Sequence, residues 1–326
     1  MDRLPRLTLA FAWIAALCAP PAALAQPYPS KPIRVIHTFV ASSIADGALR
    51  LVSQKMSESM GQPVIVESQS GAAGIIGAQM VMRSAPDGYT LLLTNPTAVV
   101  SAPFLLKNRP FDPIKDFTPI TDAIGAVLCL VVSDSFPPNS VRELIAHIKA
   151  NPGKFAYGTT GIGSQYHLEM EVIKLHYGLE ITHVPYRSGG EQLNAVAAGF
   201  IPVAFAPLGG QTMGLAKSGK IKVLAIMEAK RYPGAPDIPA IAEQLPEYEK
   251  VPNGMFYYGP AGMPASIVKR LYEEIVKALN TQEVLDRLRQ LALFPIASTP
   301  EAFAARTRKD IEISARAIKA AGLKPE

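Results

Sequence analysis

The sequence predicts an α/β fold, in which short buried strands alternate with amphipathic helices along a chain of 326 residues. Three observations lead to this class. Short apolar runs recur through the chain, stretches with helical periodicity follow most of them, and small or hydroxylated residues occupy the turns. Apolar residues make up 48% of the chain, which is enough for a full core, and the length suggests about two domains.

The predicted strands are short and apolar, and we expect them at residues 33–40, 64–67, 90–93, 128–132, 155–158, 181–184, 203–206 and 222–226. Helical periodicity predicts helices at 46–60, from 140 onward, at 164–176 and 190–198, from 264 onward and at 300–321. Ser140 and Glu143 form a capping-box pair at one helix start, and Pro264 suits the first position of another.

The N-terminus predicts export. Arg3 and Arg6 precede an apolar run that is too short to cross a bilayer comfortably, and residues 23–25 form a small-x-small cleavage sequence. We therefore expect a signal peptide over residues 1–25, cleaved after Ala25, and a mature protein in the periplasm. An uncleaved membrane anchor is the alternative. Without the signal, Cys129 is the only cysteine, so no intrachain disulfide is expected.

The composition and residue spacing argue against nucleic acid and metal ions as partners. The net charge is +5, but the Lys and Arg residues are scattered without a basic run, which argues against nucleic acid. The histidines and cysteines lack the spacings of a metal site.

Two strand-to-helix turns are candidate anion sites, because free N–H groups at a helix N-terminus attract negative charge. The first, residues 40–46, contains Ser42 and Ser43, whose hydroxyls can donate to a carboxylate, and Asp46, which can cap the helix or accept from a ligand hydroxyl. An ordinary capped turn is the alternative. The second, residues 159–167, sets Thr159, Thr160 and Ser164 beside two glycines.

Five motifs occur at characteristic positions along the chain. They are Tyr-Pro-Ser-Lys-Pro-Ile at 28–33, Ala-Pro-Asp-Gly-Tyr-Thr at 85–90, Phe-Asp-Pro-Ile-Lys-Asp-Phe at 111–117, His-Val-Pro-Tyr-Arg-Ser-Gly-Gly at 183–190 and Ala-Ala-Gly-Leu-Lys-Pro-Glu at 320–326. In their order and spacing the chain resembles the Bug proteins, the solute receptors of tripartite tricarboxylate transporters. The resemblance covers essentially the whole mature chain.

This resemblance implies a two-lobed periplasmic binding fold of type II-like topology, with the ligand cleft between the lobes. It implies lobe 1 at residues 27–126 and 252–326 and lobe 2 at 127–251. The ligand would be a small carboxylate, the partner the membrane subunits of a transporter, and the chain a monomer without a cofactor.

The resemblance also implies ligand contacts at both turns, and a third position at Thr94 and Asn95. The second turn matches the family pattern Ser-x-Gly-x-Gly-Ser/Thr-x-x-His at Gly161, Gly163, Ser164 and His167. Tyr186 ends a predicted strand before a glycine pair, so we expect it to border the cleft.

Two departures from the family bear on the ligand. Ser42, Ser43 and Ile44 stand where the family usually has glycines, so hydroxyls replace backbone contacts. Ala206 stands where the family frequently has an aspartate that pairs with a ligand ammonium. We therefore expect a mono- or dicarboxylate, aromatic ones included, and not an amino acid.

Two other functions remain open. A periplasmic hydrolase would use Ser164 as nucleophile and His167 as base, but no acidic residue is placed to orient the histidine and no Gly-x-Ser-x-Gly motif occurs. A periplasmic ligand sensor for a two-component system needs the same cleft and would signal to a sensor kinase. We expect no enzymatic activity.

Overall fold

The computed structural model describes residues 28–39, 44–320 and 322–323. The predicted signal peptide, Ser42 and Ser43 lie outside the described residues. The chain divides into two units, Met1–Ser30 and Lys31–Glu326. Residues 28–30 are the described part of the first unit, and the fold below is that of the second.

The second unit alternates strands and helices along most of its length. The strands are β1 (Ile33–His37), β2 (Val64–Ser68), β3 (Thr90–Thr94), β4 (Phe117–Ala126), β5 (Leu128–Ser133), β6 (Ala156–Thr159), β7 (Thr182–Pro185), β8 (Val203–Pro207), β9 (Ile221–Ile226), β10 (Met255–Pro260) and β11 (Leu293–Pro295). The helices are α1 (Ile44–Met60), α2 (Ile75–Met82), α3 (Val141–Lys149), α4 (Gln165–Tyr177), α5 (Gly189–Ala197), α6 (Gly210–Lys217), α7 (Ile241–Gln244), α8 (Ala265–Leu279), α9 (Gln282–Gln290) and α10 (Pro300–Ala320).

The strands form two separate sheets, and each sheet with its helices makes one lobe. The first sheet has the order β11-β4-β10-β3-β1-β2, with β1 parallel to β2 and β3 and with β10 antiparallel to its neighbours. The second has the order β7-β6-β8-β5-β9, with β6 parallel to β7 and β8 and with β5 antiparallel to its neighbours. The predicted α/β fold with two lobes is therefore confirmed.

The chain passes between the sheets where β4 is followed by β5 and where β9 leads to β10. The first passage is short, since β4 ends at Ala126 and β5 begins at Leu128. The last helix, α10, contacts β4 of the first lobe and α4 of the second. The exact lobe bounds stay a prediction.

The central strand β5 shows why the second lobe folds as a layered sheet. Its alternate residues enter two different apolar clusters, with Leu128 and Leu130 on one face and Cys129 and Val131 on the other. Both faces are buried, so the strand is apolar throughout. Cys129 is a buried free thiol.

Helical periodicity locates the amphipathic helices well. Leu49, Val52, Met56 and Met60, the predicted stripe of α1, are all buried. Two details of the predicted helix starts are wrong. The helix expected to begin at Pro264 begins one residue later, because Pro264 has an extended ψ of 134° and is the N-cap. Only half of the expected capping box forms, because Ser140 Oγ accepts the N–H of Glu143 but the Glu143 carboxylate does not accept the N–H of Ser140. The carboxylate accepts the N–H of Asn139 instead.

The first predicted strand ends at His37, three residues before the expected end. Sequence periodicity did not predict β4, β10, β11, α2, α6, α7 or α9. Over the described residues no helix is both long and apolar enough to cross a membrane.

Candidate functional site

A cleft of about 710 Å³ lies between the two lobes. It forms at the carboxyl ends of parallel strands of both sheets, where open α/β sheets generally bind ligands. The first lobe contributes the residues after β1 and β3, which are Thr38, Phe39, Asn95, Pro96 and Thr97. The second lobe contributes the turns after β6, β7 and β8, each of which leads into a helix.

The turn after β6 brings Thr160 and Ser164 to the cleft, with Gln165 and Tyr166 from the start of α4. Gly161 and Gly163 have φ values of +123° and +72°, which an L side chain rarely adopts, so the tight turn requires glycine there. The Ser164 side chain caps α4 by accepting from the backbone N–H of His167 at 3.4 Å.

The turns after β7 and β8 bring two glycine pairs to the same wall. Gly189 and Gly190 begin α5 behind the N-cap Ser188, and Gly209 and Gly210 begin α6. None of the four has a positive φ. A Cβ at Gly209 or Gly210 would meet nothing within 4 Å, so neither backbone strain nor packing requires glycine at these two positions. Their effect is to leave helix N–H groups open to the cleft.

The three helix starts lie side by side. A Cβ at Gly189 would lie 3.9 Å from the Thr160 methyl group, and one at Gly190 would lie 3.8 Å from Oε1 of Gln211. The N-terminal ends of α4, α5 and α6 therefore form one continuous wall. Each end carries a partial positive charge from its unpaired N–H groups.

Among the described residues that line the cleft, none carries a charged side chain. The polar groups there are hydroxyls, amides and backbone N–H groups, and the apolar ones include Phe39, Tyr166 and Leu193. The positive potential of this wall thus comes from helix ends and not from cationic side chains.

The first-lobe wall is built on a buried hydroxyl pair. Thr38, which lines the cleft, has its Oγ1 2.7 Å from Oγ1 of Thr94, and Thr94 is fully buried beneath it. Asn95 accepts the N–H of Ala98 through Oδ1 at 3.3 Å, which fixes its side chain at the cleft.

The structure brings three of the sequence-predicted residues to the cleft: Asn95, Thr160 and Ser164. Four others lie behind it, and they are Thr94, Thr159, Gly163 and His167, all of them buried. Tyr186 is half-buried beside Gly158, and its side chain does not line the cleft.

Two predicted residues have different surroundings from those expected. Asp46 does not face the cleft, because its carboxylate is buried 3.0 Å from Nε2 of His37 and 3.0 Å from Nε of Arg50. Burial lowers the pKa of His37, while the Asp46 charge opposes this shift. Ala206 pairs with Cys129 in the β5–β8 ladder and packs in an apolar cluster, and its own side chain does not line the cleft.

Sequence reasoning missed much of the lobe 2 wall, including Ser188, Gly209, Gly210 and Gln211. The residues after β8 repeat the pattern that singled out the turn after β6, a strand followed by glycines and a helix. Helical periodicity did not predict α6, because this helix has no apolar stripe. Among its described residues only Thr212 is buried.

Ser164 and His167 do not form a nucleophile–base pair. Ser164 Oγ bonds the backbone of His167, whereas the His167 ring uses Nδ1 to accept the Gly163 N–H at 3.0 Å. The geometry offers donors for an anion and, among the described residues, no oriented base for Ser164.

Two α/β lobes around a cleft lined by helix N-termini are the architecture of two-lobed solute-binding proteins. The sequence profile described as the tripartite tricarboxylate transporter family receptor (TctC) matches residues 48–323. The chain belongs to this family of periplasmic solute receptors. The resemblance predicted from the motifs is therefore confirmed.

Individual relatives agree with this assignment. A UPF0065 protein of Bordetella pertussis is 36% identical over 270 residues, which cover 83% of each chain. The structure of R. palustris Rpa4515 with adipate is 29% identical, with a TM-score of 0.77 over 92% of this chain and all of the other. MatC of Rhodopseudomonas palustris with bound malate is 25% identical, with a TM-score of 0.73 over 89% of this chain and all of the other.

Proposed function

We propose that this protein captures a small mono- or dicarboxylate, aromatic ones included, in the cleft between its lobes and delivers it to the membrane subunits of a tripartite tricarboxylate transporter. The observation that carries the proposal is the wall formed by the N-terminal ends of α4, α5 and α6. An anion is the ligand class that three adjacent helix starts with bare glycine backbones favour.

The charge of the lining supports a carboxylate and argues against an amino acid. An ammonium group needs an acidic partner to compensate its loss of water, and none of the described lining residues is acidic. The uncharged lining, and not Ala206, disfavours an amino acid, because the Ala206 side chain lies outside the cleft.

The size and polarity of the cleft support a small ligand with a hydrocarbon body. A volume of about 710 Å³ is within the usual range for small-molecule sites. Phe39, Pro96, Tyr166 and Leu193 offer apolar contacts for a methylene chain or an aromatic ring. Two related structures of this fold contain adipate and malate, which are both dicarboxylates of this kind.

We further propose that the protein acts in the periplasm as a monomer after cleavage following Ala25, and that it performs no catalysis. Lobe 1 would comprise residues 27–126 and 252–326, and lobe 2 residues 127–251. Ser42 and Ser43 would complete the first-lobe wall beside Thr38 and Asn95.

A thermal-shift screen of the purified protein tests the ligand class. The panel contains adipate, malate, succinate, glutarate and benzoate, with aspartate, glutamate and adipamide as counterparts of altered charge. A carboxylate at about a hundred times its dissociation constant is expected to stabilise the protein by about 2.7 kcal/mol. Stabilisation by aspartate and glutamate, with none from succinate and glutarate, would contradict the proposal.

Two N-cap serines give a matched pair of variants for locating the site. Ser164 lines the cleft and Ser140 caps α3 outside the lining, and each accepts the N–H three residues later. Each change to alanine should cost about 1 kcal/mol of stability. S164A is expected to weaken carboxylate binding and S140A to leave it unchanged, as measured by calorimetry. Equal affinity in both variants would exclude Ser164 from the site.

A further inference from the structure

Two histidines lie directly behind the turn that joins β6 to α4. His167 belongs to the first turn of α4 and is 4% exposed, and His183 belongs to β7. Their rings stack with centroids 4.1 Å apart and planes 23° apart. Neither side chain lines the cleft.

Each imidazole holds one glycine of this turn from behind. Nδ1 of His167 accepts the N–H of Gly163 at 3.0 Å. Nε2 of His183 lies 2.6 Å from Oγ1 of Thr159, and the same hydroxyl accepts the N–H of Gly161 at 3.1 Å. The backbone on both sides of Ile162 is therefore hydrogen-bonded to the two histidines. Gly163 bonds His167 directly, and Gly161 is linked to His183 through the Thr159 hydroxyl.

The turn has little other freedom at Gly163. Its φ of +72° disfavours other residues, and a Cβ there would clash with the Leu105 side chain of the first lobe. The next residue, Ser164, bonds the His167 backbone through its side chain. His167 thus contacts the turn twice, through its ring at Gly163 and through its N–H at Ser164, which faces the cleft.

The bond to Gly163 requires a neutral His167 with an unprotonated Nδ1. The groups facing the ring are His183 on β7, Tyr157 on β6, and Glu171 and Lys174 on α4. Glu171 lies 3.8 Å from Nε2 of His167 but already accepts from Tyr157 at 2.6 Å and from Lys174 at 2.7 Å. Burial and the nearby His183 lower the pKa of His167 to about 4, and burial lowers the pKa of His183.

We propose that His167 and His183 are positioning residues for carboxylate binding. They hold the turn between β6 and α4 in the shape that presents Thr160, Ser164 and the first N–H groups of α4 to the ligand, without contacting the ligand themselves. This inference rests on the proposed function, since it concerns the same cleft.

The test compares two replacements of His167. In H167N, Oδ1 occupies the place of Nδ1 and can accept the Gly163 N–H, whereas H167L offers no acceptor. In H167L the ligand-free turn can relax so that the Gly163 N–H finds another partner, and ligand binding must then restore the shape in which this N–H is buried and unpaired. That cost corresponds to about a tenfold loss of affinity, so H167L should bind adipate or malate about tenfold more weakly than the wild type. H167N should stay within about threefold of the wild type. H176L, at an exposed position late in α4, is the matched control and should bind as the wild type does.

Two further measurements separate positioning from general destabilisation. Amide hydrogen exchange at Gly163 should accelerate in H167L and stay protected in H167N, while exchange at Gly161, whose N–H is held by Thr159, and in β5 changes less in both. The affinity of the wild type should fall more steeply than that of H167N as the pH drops through about 4, because protonation removes the Nδ1 acceptor only in the wild type, whereas protonation of the carboxylate probe weakens both proteins alike.

The outcomes distinguish this inference from the proposed function. If the wild type binds a probe and H167L binds it equally well, the positioning role is overturned while the proposed function stands. If the wild type binds none of the carboxylates, the proposed function fails. The exchange rate of the Gly163 amide then decides whether His167 holds the turn. An unchanged rate in H167L would overturn the positioning role as well.

Discussion

Arg306 of α10 donates a hydrogen bond to the buried carboxylate of Asp122 in β4. The same guanidinium donates to the backbone carbonyl of Asn253 at 2.9 Å, and the Asn253 side chain donates to the carbonyl of Ala126 at 2.7 Å. These residues border the two passages of the chain between the sheets. Arg306 therefore ties both passages to the last helix.

The change R306M is expected to cost about 3 kcal/mol of stability at pH 8, because it leaves the Asp122 carboxylate buried without its partner. Burial raises the pKa of Asp122 to about 7 while the Arg306 charge opposes the rise, so the carboxylate is largely ionised at pH 8. Urea unfolding measures the loss.

Arg316 provides the control on the same helix. It pairs with Glu249, and both side chains are exposed, so R316M should cost less than about 1 kcal/mol. Adding D122N to R306M should restore part of the lost stability. Equal losses in R306M and R316M would show that the buried pair contributes no more than a surface pair.

Because Glu169 is buried, we expect the free energy of unfolding to depend on pH. Burial raises its pKa to about 7, and Tyr248 donates to its carboxylate. Between the ordinary pKa of 4.5 and about 7, the folded state holds a proton that the unfolded state has released. Stability therefore falls as the pH rises through this window, and the full cost of about 3 kcal/mol is present above pH 7.

Replacing this carboxyl with an amide should remove that cost. E169Q is expected to match the wild type near pH 4.5 and to gain on it by about 3 kcal/mol by pH 8, because an amide does not ionise. E180Q, at an exposed position, should follow the wild type at every pH. Parallel pH profiles for E169Q and the wild type, obtained from urea unfolding, would disprove the assignment.

Local periodicity predicted the elements whose residues carry their own pattern. The stripe of α1 and the apolar run of β5 are of this kind, since burial on one face or on both follows directly from the order of residues. β4 was missed because it contains polar residues whose partners are distant in sequence. Thr121 donates to the carbonyl of Ser298 at 2.7 Å, and Asp122 is paired with Arg306.

The candidate site was predictable only in part, for a related reason. The turn after β6 has a sequence signature, and it brings Thr160 and Ser164 to the cleft. The adjacent wall at Gly189 and Gly209 depends on the strand order β7-β6-β8-β5-β9, which sets three helix starts together. No local pattern reveals such an order.

The surroundings of Ala206 lead to a third prediction. Ala206 is 2% exposed in an apolar cluster, so A206D should lose about 3 kcal/mol or more from the burial of an unpaired carboxylate. The variant should gain no affinity for aspartate or glutamate, because position 206 packs in an apolar cluster and does not line the cleft. Calorimetry and urea unfolding check both points. A folded A206D variant that binds glutamate tightly would place this side chain in the site after all.

The bare backbone at the start of α6 predicts opposite effects on stability and binding. G210D adds an acidic side chain at a helix N-terminus, in open space and without a positive φ, so it should stabilise the protein by about 0.5 kcal/mol. The same carboxylate competes for the N–H groups of the wall and repels an anionic ligand, so affinity should fall by about tenfold or more. G214D, in the same helix but outside the lining, should leave affinity unchanged. If G210D binds carboxylates as the wild type does, the α6 start makes no contribution to the anion site.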